Sequence, residues 1–151
     1  MKVYYAYKSS EMIEWDKEDV ILITYGDIIQ DRDCLPLEIF SRFCKRYLKS
    51  VVNILHILPF FPYSSDWGFA VIYFEEVDPR IGTWENIEDL KRGFKLMFDD
   101  VFNHVSSKSR WFQKFLDGNY EYRNFFHVFS TKDSISKDHI KLIVRPLPLG
   151  S

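Results

Sequence analysis

Val51-Val52-Asn53-Ile54-Leu55-His56-Ile57-Leu58-Pro59-Phe60-Phe61-Pro62 is the stretch on which the fold turns. Its first eight residues are almost all apolar, and several are β-branched, which reads as a strand. Pro59 and Pro62 end it, because proline has no N–H to give to a strand ladder. Just upstream, Leu37, Phe40, Phe43, Cys44, Tyr47 and Leu48 recur at spacings of three and four, with charged residues between them. That spacing predicts an amphipathic helix that covers a sheet, and Pro36 suits its first turn. Further upstream, Val20–Tyr25 is a second apolar run, punctuated by Gly26-Asp27, and reads as a strand buried on both faces.

Downstream, Phe60 to Arg80 has no period and reads as a long loop of the functional kind. Thr83 can cap a short helix through Glu85, Ile87 and Leu90, which Gly93 closes. A third strand, Phe94–Phe98, runs into Asp99-Asp100-Val101-Phe102-Asn103-His104. A last helix fits Arg110 to Leu116, with Trp111, Phe112 and Phe115 on one side and Gly118 beyond its end. The tail from Arg145 to Ser151 is loop-like. The order β-α-β-loop-α-β predicts an α/β fold with parallel strands and helices on one face of the sheet.

The 151 residues allow one domain, and 46% hydrophobic with 28% charged residues excludes a disordered chain. Aromatics reach 18%, which suits either a dense core or a sugar cleft; composition alone favours the core. A net charge of −2 with interspersed signs gives no nucleic-acid footprint. No apolar run is long enough to span a membrane, so no membrane partner is expected. The opening Met1-Lys2-Val3-Tyr4-Tyr5 leads into charged sequence and not a signal core, so the expected location is the cytoplasm. Cys34 and Cys44 are not spaced as metal ligands, and Cys44 reads as a buried reduced thiol. His127 and His139 have no metal-type spacing either. No metal or cofactor is expected.

Parallel α/β folds bind ligands at the carboxyl ends of their strands. That rule selects Tyr25 and Asp27 after the first strand, Pro59 to Phe69 after the second, and Asp99, Asn103 and His104 after the third. Each group mixes aromatic and polar residues, as a polyol ligand requires. Each also has a plainer structural reading: Asp99 as a turn cap, Asn103 and His104 as partners of loop backbone, Asp66 as a turn residue. Taken singly, those plainer readings are favoured. His56, inside an apolar strand, reads as a hydrogen-bonded core residue.

His56-Ile57-Leu58-Pro59-Phe60-Phe61-Pro62-Tyr63-Ser64-Ser65-Asp66 with Gly68-Phe69 closely resembles the sucrose-phosphorylase-like branch of the α-amylase family. So do Glu76-Val77-Asp78-Pro79 with Gly82-Thr83-Trp84-Glu85, and Leu96-Met97-Phe98-Asp99 with Val101, Asn103 and His104. Leu22-Ile23-Thr24-Tyr25 with Asp27 is similar to that branch's first barrel strand. The resemblance runs from about Val20 to about Phe126; each motif is moderately specific, and their order and spacing are strongly so.

The resemblance implies a (β/α)₈ barrel that cleaves α-glucosidic bonds with retention through a covalent glucosyl-enzyme. By it, Asp66 and His104 hydrogen-bond the glucosyl ring, Phe69 stacks on it, and Asp99, Asn103 and Tyr25 support the site. The implied partners are an α-glucoside such as sucrose and, as a candidate acceptor, phosphate. None of these residues is the nucleophile. The family's nucleophile Asp follows strand four and its acid/base Glu follows strand five, and both would lie beyond Ser151.

A full barrel takes ~250 residues, so residues 1–151 are expected to be an incomplete N-terminal part of one, about three of its eight units. A retaining mechanism needs two carboxylates roughly 5–5.5 Å apart; Asp117, Glu121, Asp133 and Asp138 sit in helix-end or loop sequence. The expectation is therefore no assignable catalytic residue here, no turnover by the chain alone, and self-association through an open barrel edge. The other reading is a non-catalytic protein that keeps a partial sugar-binding surface. The chain departs from its relatives at Trp67, where a charged or small residue is commoner, and at Tyr73-Phe74 in place of Asp-Tyr or Asp-His.

Overall fold

The computed structural model describes residues 15–128 and Ser136. The sequence before Trp15, and Asp133, Asp138, His139 and the tail from Arg145, lie outside the described residues. The chain divides into two compact units, Met1–Arg110 and Trp111–Ser151.

The first unit is built on three strands, β1 (Ile21–Thr24), β2 (Ile54–Ile57) and β3 (Lys95–Phe98), in the order β1-β2-β3. Both pairings are parallel, as the alternation predicts. The register sets Leu22 beside Leu55 and Leu96, and Ile23 beside His56 and Met97. All three strands are shorter than the apolar runs that announced them.

One face of the sheet is the core face. Leu55 and Ile57, fully buried, pack with Leu37, Phe40 and Cys44 of the first helix and with Ile87 and Leu90 of the second. Leu22 and Leu96 are packed at its margin. The other face is only partly covered: Ile54 is buried at its centre, but Ile21 and Ile23 are 42% and 60% exposed. The expectation that β1 is buried on both faces is therefore corrected. β1 lies at the end of the strand order, and its outward residues gain no cover from the helices.

Helix α1 (Pro36–Phe43) has Pro36 in its first turn and no side-chain cap; the Leu37 amide donates instead to the Ile81 carbonyl, 2.9 Å. α1 then passes into a π turn, Cys44–Leu48. The wider turn changes the phase of the apolar stripe. Leu37, Phe40 and Cys44 stay buried, while Phe43 and Tyr47 are exposed and pair with each other at 5.2 Å. Helix α2 (Trp84–Lys91) starts at Thr83, whose N–H donates to Asn86 Oδ1, 2.9 Å, in a capping box. The two helices are tied by Asp89 of α2, which accepts from Ser41, 2.7 Å, and pairs with Lys45. Lys45 and then Ser41 hold the Asp89 carboxyl below the usual carboxylate range.

A polar clamp ties the amino ends of the strands. Asn53 Oδ1 accepts from the Val20 N–H, and Asn53 Nδ2 donates to Asp19 Oδ1, both at 2.8 Å. Lys95 Nζ reaches the same Asp19 oxygen at 3.4 Å. Residues before β1, before β2 and within β3 thus meet at one carboxylate.

In the second unit, α3 (Arg110–Leu116) carries Phe112 and Phe115, which pack on Phe126, while Trp111 meets Phe125. Gly118, at φ 74, closes its end. Asn119 then caps the short 3₁₀ turn Tyr120–Phe125 by accepting from the Glu121 N–H, 3.0 Å. Among the described residues no helix is long and apolar enough to cross a membrane.

Candidate functional site

The segments after β2 and β3 leave the same edge of the sheet, because the strands are parallel. The segment after β2 is more ordered than a periodless loop. Tyr63 and Val71 form an antiparallel bridge, and the Ser64 N–H donates to the Ala70 carbonyl, 3.0 Å. Inside this hairpin a tight 3₁₀ turn spans Asp66–Gly68. Asp66, Trp67 and Gly68 have φ of 58°, 50° and 104°. Three successive left-handed residues are costly for side chains with a Cβ. Gly68 is required here, since a Cβ would lie 2.8 Å from the Pro59 carbonyl oxygen. The strain turns Asp66 and Trp67 outward, Trp67 to 79% exposure, while Phe69 stays half-buried.

The segment after β3 is stitched to this hairpin. The Ser106 N–H donates to the Val71 carbonyl, 2.9 Å, and the Ser64 and Ser106 hydroxyls share a 2.6 Å hydrogen bond. Ser64 stands two residues before Asp66, and Ser106 two residues after His104. Asn103 and His104 are exposed.

Asp99 turns up beside His56. His56 Nε2 lies 3.3 Å from Asp99 Oδ1, on strand-end positions that are mostly buried. Among the described residues, neither His56 Nε2 nor Asp99 Oδ2 has a hydrogen-bond partner. The short approach is thus a contact without hydrogen-bond alignment. The expectation of a hydrogen-bonded core histidine is corrected: His56 is on the sheet face that the helices leave bare. That face offers it one carboxylate and otherwise apolar neighbours, Ile23 and Met97.

Tyr25 is brought to one cleft with Trp67 of the Asp66 turn. With Gly26 and Asp27 it lines a cleft of about 530 Å³ between the loops after β1 and β2. Asp78 and Arg80 also line it, and sequence reasoning missed both as site residues. Asp78 is buried and accepts from the Arg80 N–H, 2.9 Å, and from its guanidinium Nε, 3.0 Å. Hydrogen bonding from Arg80 holds the Asp78 carboxyl below the usual carboxylate range. The guanidinium carbon sits 5.2 Å from the Tyr63 ring centre. The Asp78-Pro79 dipeptide signals a turn, but only the fold shows where that turn aims its arginine.

A parallel sheet with its helices on one face, and polar and aromatic side chains gathered at the carboxyl edge, defines the front of an α/β barrel site. Comparison with known proteins names the family. Residues 45–142 match the family described as alpha amylase, catalytic domain. The chain belongs to the α-amylase family. It is 44% identical over 118 residues to the glucosylglycerate phosphorylase of Spirochaeta thermophila, covering 78% of this chain and 20% of that protein. It is 40% identical over 122 residues to the enzyme of that name from Escherichia coli, covering 81% of this chain and 22% of that protein. The crystal structure of sucrose 6F-phosphate phosphorylase from Thermoanaerobacter thermosaccharolyticum superposes with a TM-score of 0.66 at 35% identity, over 84% of this chain and 25% of that one. Such structural neighbours are (β/α)₈ barrels. The chain spans about a fifth of the length of these curated relatives.

Proposed function

We propose that these 151 residues belong to one catalytic barrel that transfers or hydrolyses α-glucosyl groups, with sucrose or a related α-glucoside as donor. In this reading Asp66 and His104 hydrogen-bond the hydroxyls of the glucosyl ring and Phe69 stacks on its apolar face. Asp99, Asn103 and Tyr25 support them. One observation carries the reading. The turn that bears Asp66 and the segment that bears His104 are joined through Ser64 and Ser106 at the carboxyl edge of the sheet. Phosphate as the acceptor is supported by relatives whose names are phosphorylases.

The chain alone does not turn over an α-glucoside in this reading. Retention needs a nucleophilic carboxylate and a second one as acid/base. Asp66 and Asp99 are assigned to binding and support. A cytoplasmic location goes with the reading, and free cysteines, Cys44 buried, support it. So does self-association through the edges of β1 and β3, since unpaired strand edges recruit other chains.

The test is to incubate the purified chain with sucrose, with and without phosphate, and to measure glucose, fructose and glucose 1-phosphate. No product above a blank is the expected result. Turnover that is abolished by Asp66→Asn or Asp99→Asn would instead place the chemistry within these residues. Saturable sugar binding without turnover, lost in His104→Ala, is what the binding roles require.

A further inference from the structure

We propose that the outer side of α1 and its π turn docks a short acidic segment of another protein, one that carries apolar side chains between its carboxylates. This surface goes beyond the sugar reading and lies elsewhere on the fold. Leu48 ends the π turn, and its carbonyl accepts from the Val51 and Val52 amides just before β2 begins. The patch therefore reaches the amino edge of the sheet, whereas Asp66 and His104 belong to segments that leave the carboxyl edge.

Charge sets the sign of the partner. Residues 39–50 hold Arg42, Lys45, Arg46 and Lys49 and no acid. Lys45 is engaged by Asp89, and Arg42 reaches Glu38 only at 3.9 Å. Arg46 and Lys49 are exposed, and neither forms an ion pair among the described residues. Two rings supply the anchor. Phe43 and Tyr47 are 38% and 57% exposed, on the side opposite the buried Leu37, Phe40 and Cys44. Their centres lie 5.2 Å apart, and the Arg46 guanidinium carbon stands 5.4 Å from the Tyr47 ring centre. Apolar and cationic groups thus form one continuous surface. Tyrosine and arginine are enriched among the residues that dominate protein contacts. The backbone adds a second signal. Tyr47 sits in the π turn, and such turns are rare and gather at functional sites.

The same charges narrow the partner to a short segment. The whole chain carries a net charge of −2. A nucleic acid or an anionic membrane extends over the rest of that surface and meets its acids. A short peptide responds to charges within the screening length, about 8 Å at physiological salt, and there the cations prevail. The rings also need apolar side chains to cover them, which a phosphate backbone lacks.

The test titrates a fluorescent peptide of alternating Glu and Leu with the full chain and follows its anisotropy. The ¹⁵N-labelled chain maps the contact through its amide shifts. The comparisons are the same peptide with Ser in place of Leu, oligothymidylate, and phosphatidylserine vesicles. The expected result is saturable binding of the Glu-Leu peptide, with shifts centred on Arg42 to Lys49 and no effect of excess sucrose. Arg46→Glu and Tyr47→Ala should each weaken it about tenfold, as a reversed interface charge and a lost aromatic anchor do. Both positions are exposed, so the urea midpoint should hold. Tyr47→Phe keeps the ring and should bind as the parent chain does, which separates loss of the anchor from loss of the fold. Absence of saturable binding overturns the proposal. So does equal binding of the Ser peptide, tighter binding of oligothymidylate or the vesicles, or binding unchanged in Arg46→Glu and Tyr47→Ala. Shifts centred on Asp66 to Phe69, or displacement by sucrose, would place the peptide in the sugar site and overturn it too.

Discussion

The two faces of the sheet are made of similar residues and meet different fates. On one, Leu55 and Ile57 are sealed by Leu37 and Phe40 of α1 and by Ile87 and Leu90 of α2. On the other, Ile54 is buried but Ile21 and Ile23 keep much of their surface in water, beside His56 and Lys95. Hydrophobic pattern alone does not distinguish them, because the runs that form β1 and β2 are apolar at nearly every position. Cover distinguishes them. The helix side is a finished core. The bare side has the polar pair His56 and Asp99 at its carboxyl end, beneath the segments that carry the candidate sugar contacts. The helix side thus carries the packed core, and the bare side carries the polar pair.

The sharpest way to break this contrast is to truncate one residue on each face. Leu55→Ala should destabilise the chain by about 3–5 kcal/mol, the cost of a cavity in a packed core, as a fall in the urea midpoint. Ile23→Ala should cost less than about 1 kcal/mol, since exposed positions contribute little. Equal losses would mean that the bare face is covered in solution.

Alkali probes the helix side through Cys44. Burial of Cys44 in α1's π turn pushes its thiol up to about 11. A thiol whose pKa is raised by folding contributes stability that is complete below the unfolded value. That stability is lost as pH rises through the folded one. From pH 9 towards 11 the chain should therefore lose roughly 2 kcal/mol, read as a falling Tm. Cys44→Ala should flatten that slope, and a thiol reagent at pH 8 should modify Cys34 well before Cys44.

Association through the edge of β1 should respond to a charge placed on that strand. Ile23→Lys places a charge where the face meets water, and by the usual effect of charged residues on exposed strands it should shift the chain towards monomer in sedimentation, with little change in its unfolding midpoint. Unchanged association would move the contact away from β1.

The smallest effect belongs to acid and the Asp19 clamp. A backbone hydrogen bond from Asp16, then the Asn53 amide, hold the Asp19 carboxyl below its usual range. A carboxyl lowered by folding contributes stability above its unfolded value, which is lost as pH falls through the folded one. The chain should weaken below about pH 4, and Asn53→Ala should reduce that acid sensitivity measured by thermal unfolding.

The frame was legible because local signals agreed with one another. Pro36 does open a helix, Thr83 does cap one, and the apolar runs around Leu22, Leu55 and Leu96 do form parallel strands. The strand ends were overextended because apolar character continues at Val51 and Val52, whose amides turn back to the Leu48 carbonyl instead of joining the ladder. The π turn was not legible, since Tyr47 keeps helical spacing in the sequence while the turn that holds it leaves it exposed. Candidate site residues were legible by the strand-end rule and by their motifs. The meeting of His56 with Asp99 and the Asp78–Arg80 pair were not, because each depends on where a side chain points and not on its spacing.

The π turn has a consequence for length. Five residues, Cys44–Leu48, do the work of a turn that α-helical geometry completes with about four. The surplus residue is accommodated within the helix, and Val52 and Leu55 beyond it still reach the core. A chain one residue shorter between Cys44 and Leu48 would close as plain α-helix and still deliver β2 in register. Tyr47 would then shift its phase against the apolar stripe of α1, while Phe43, which precedes the turn, would keep its place. Relatives should therefore differ by single-residue gaps at this turn more readily than anywhere else between β1 and β2.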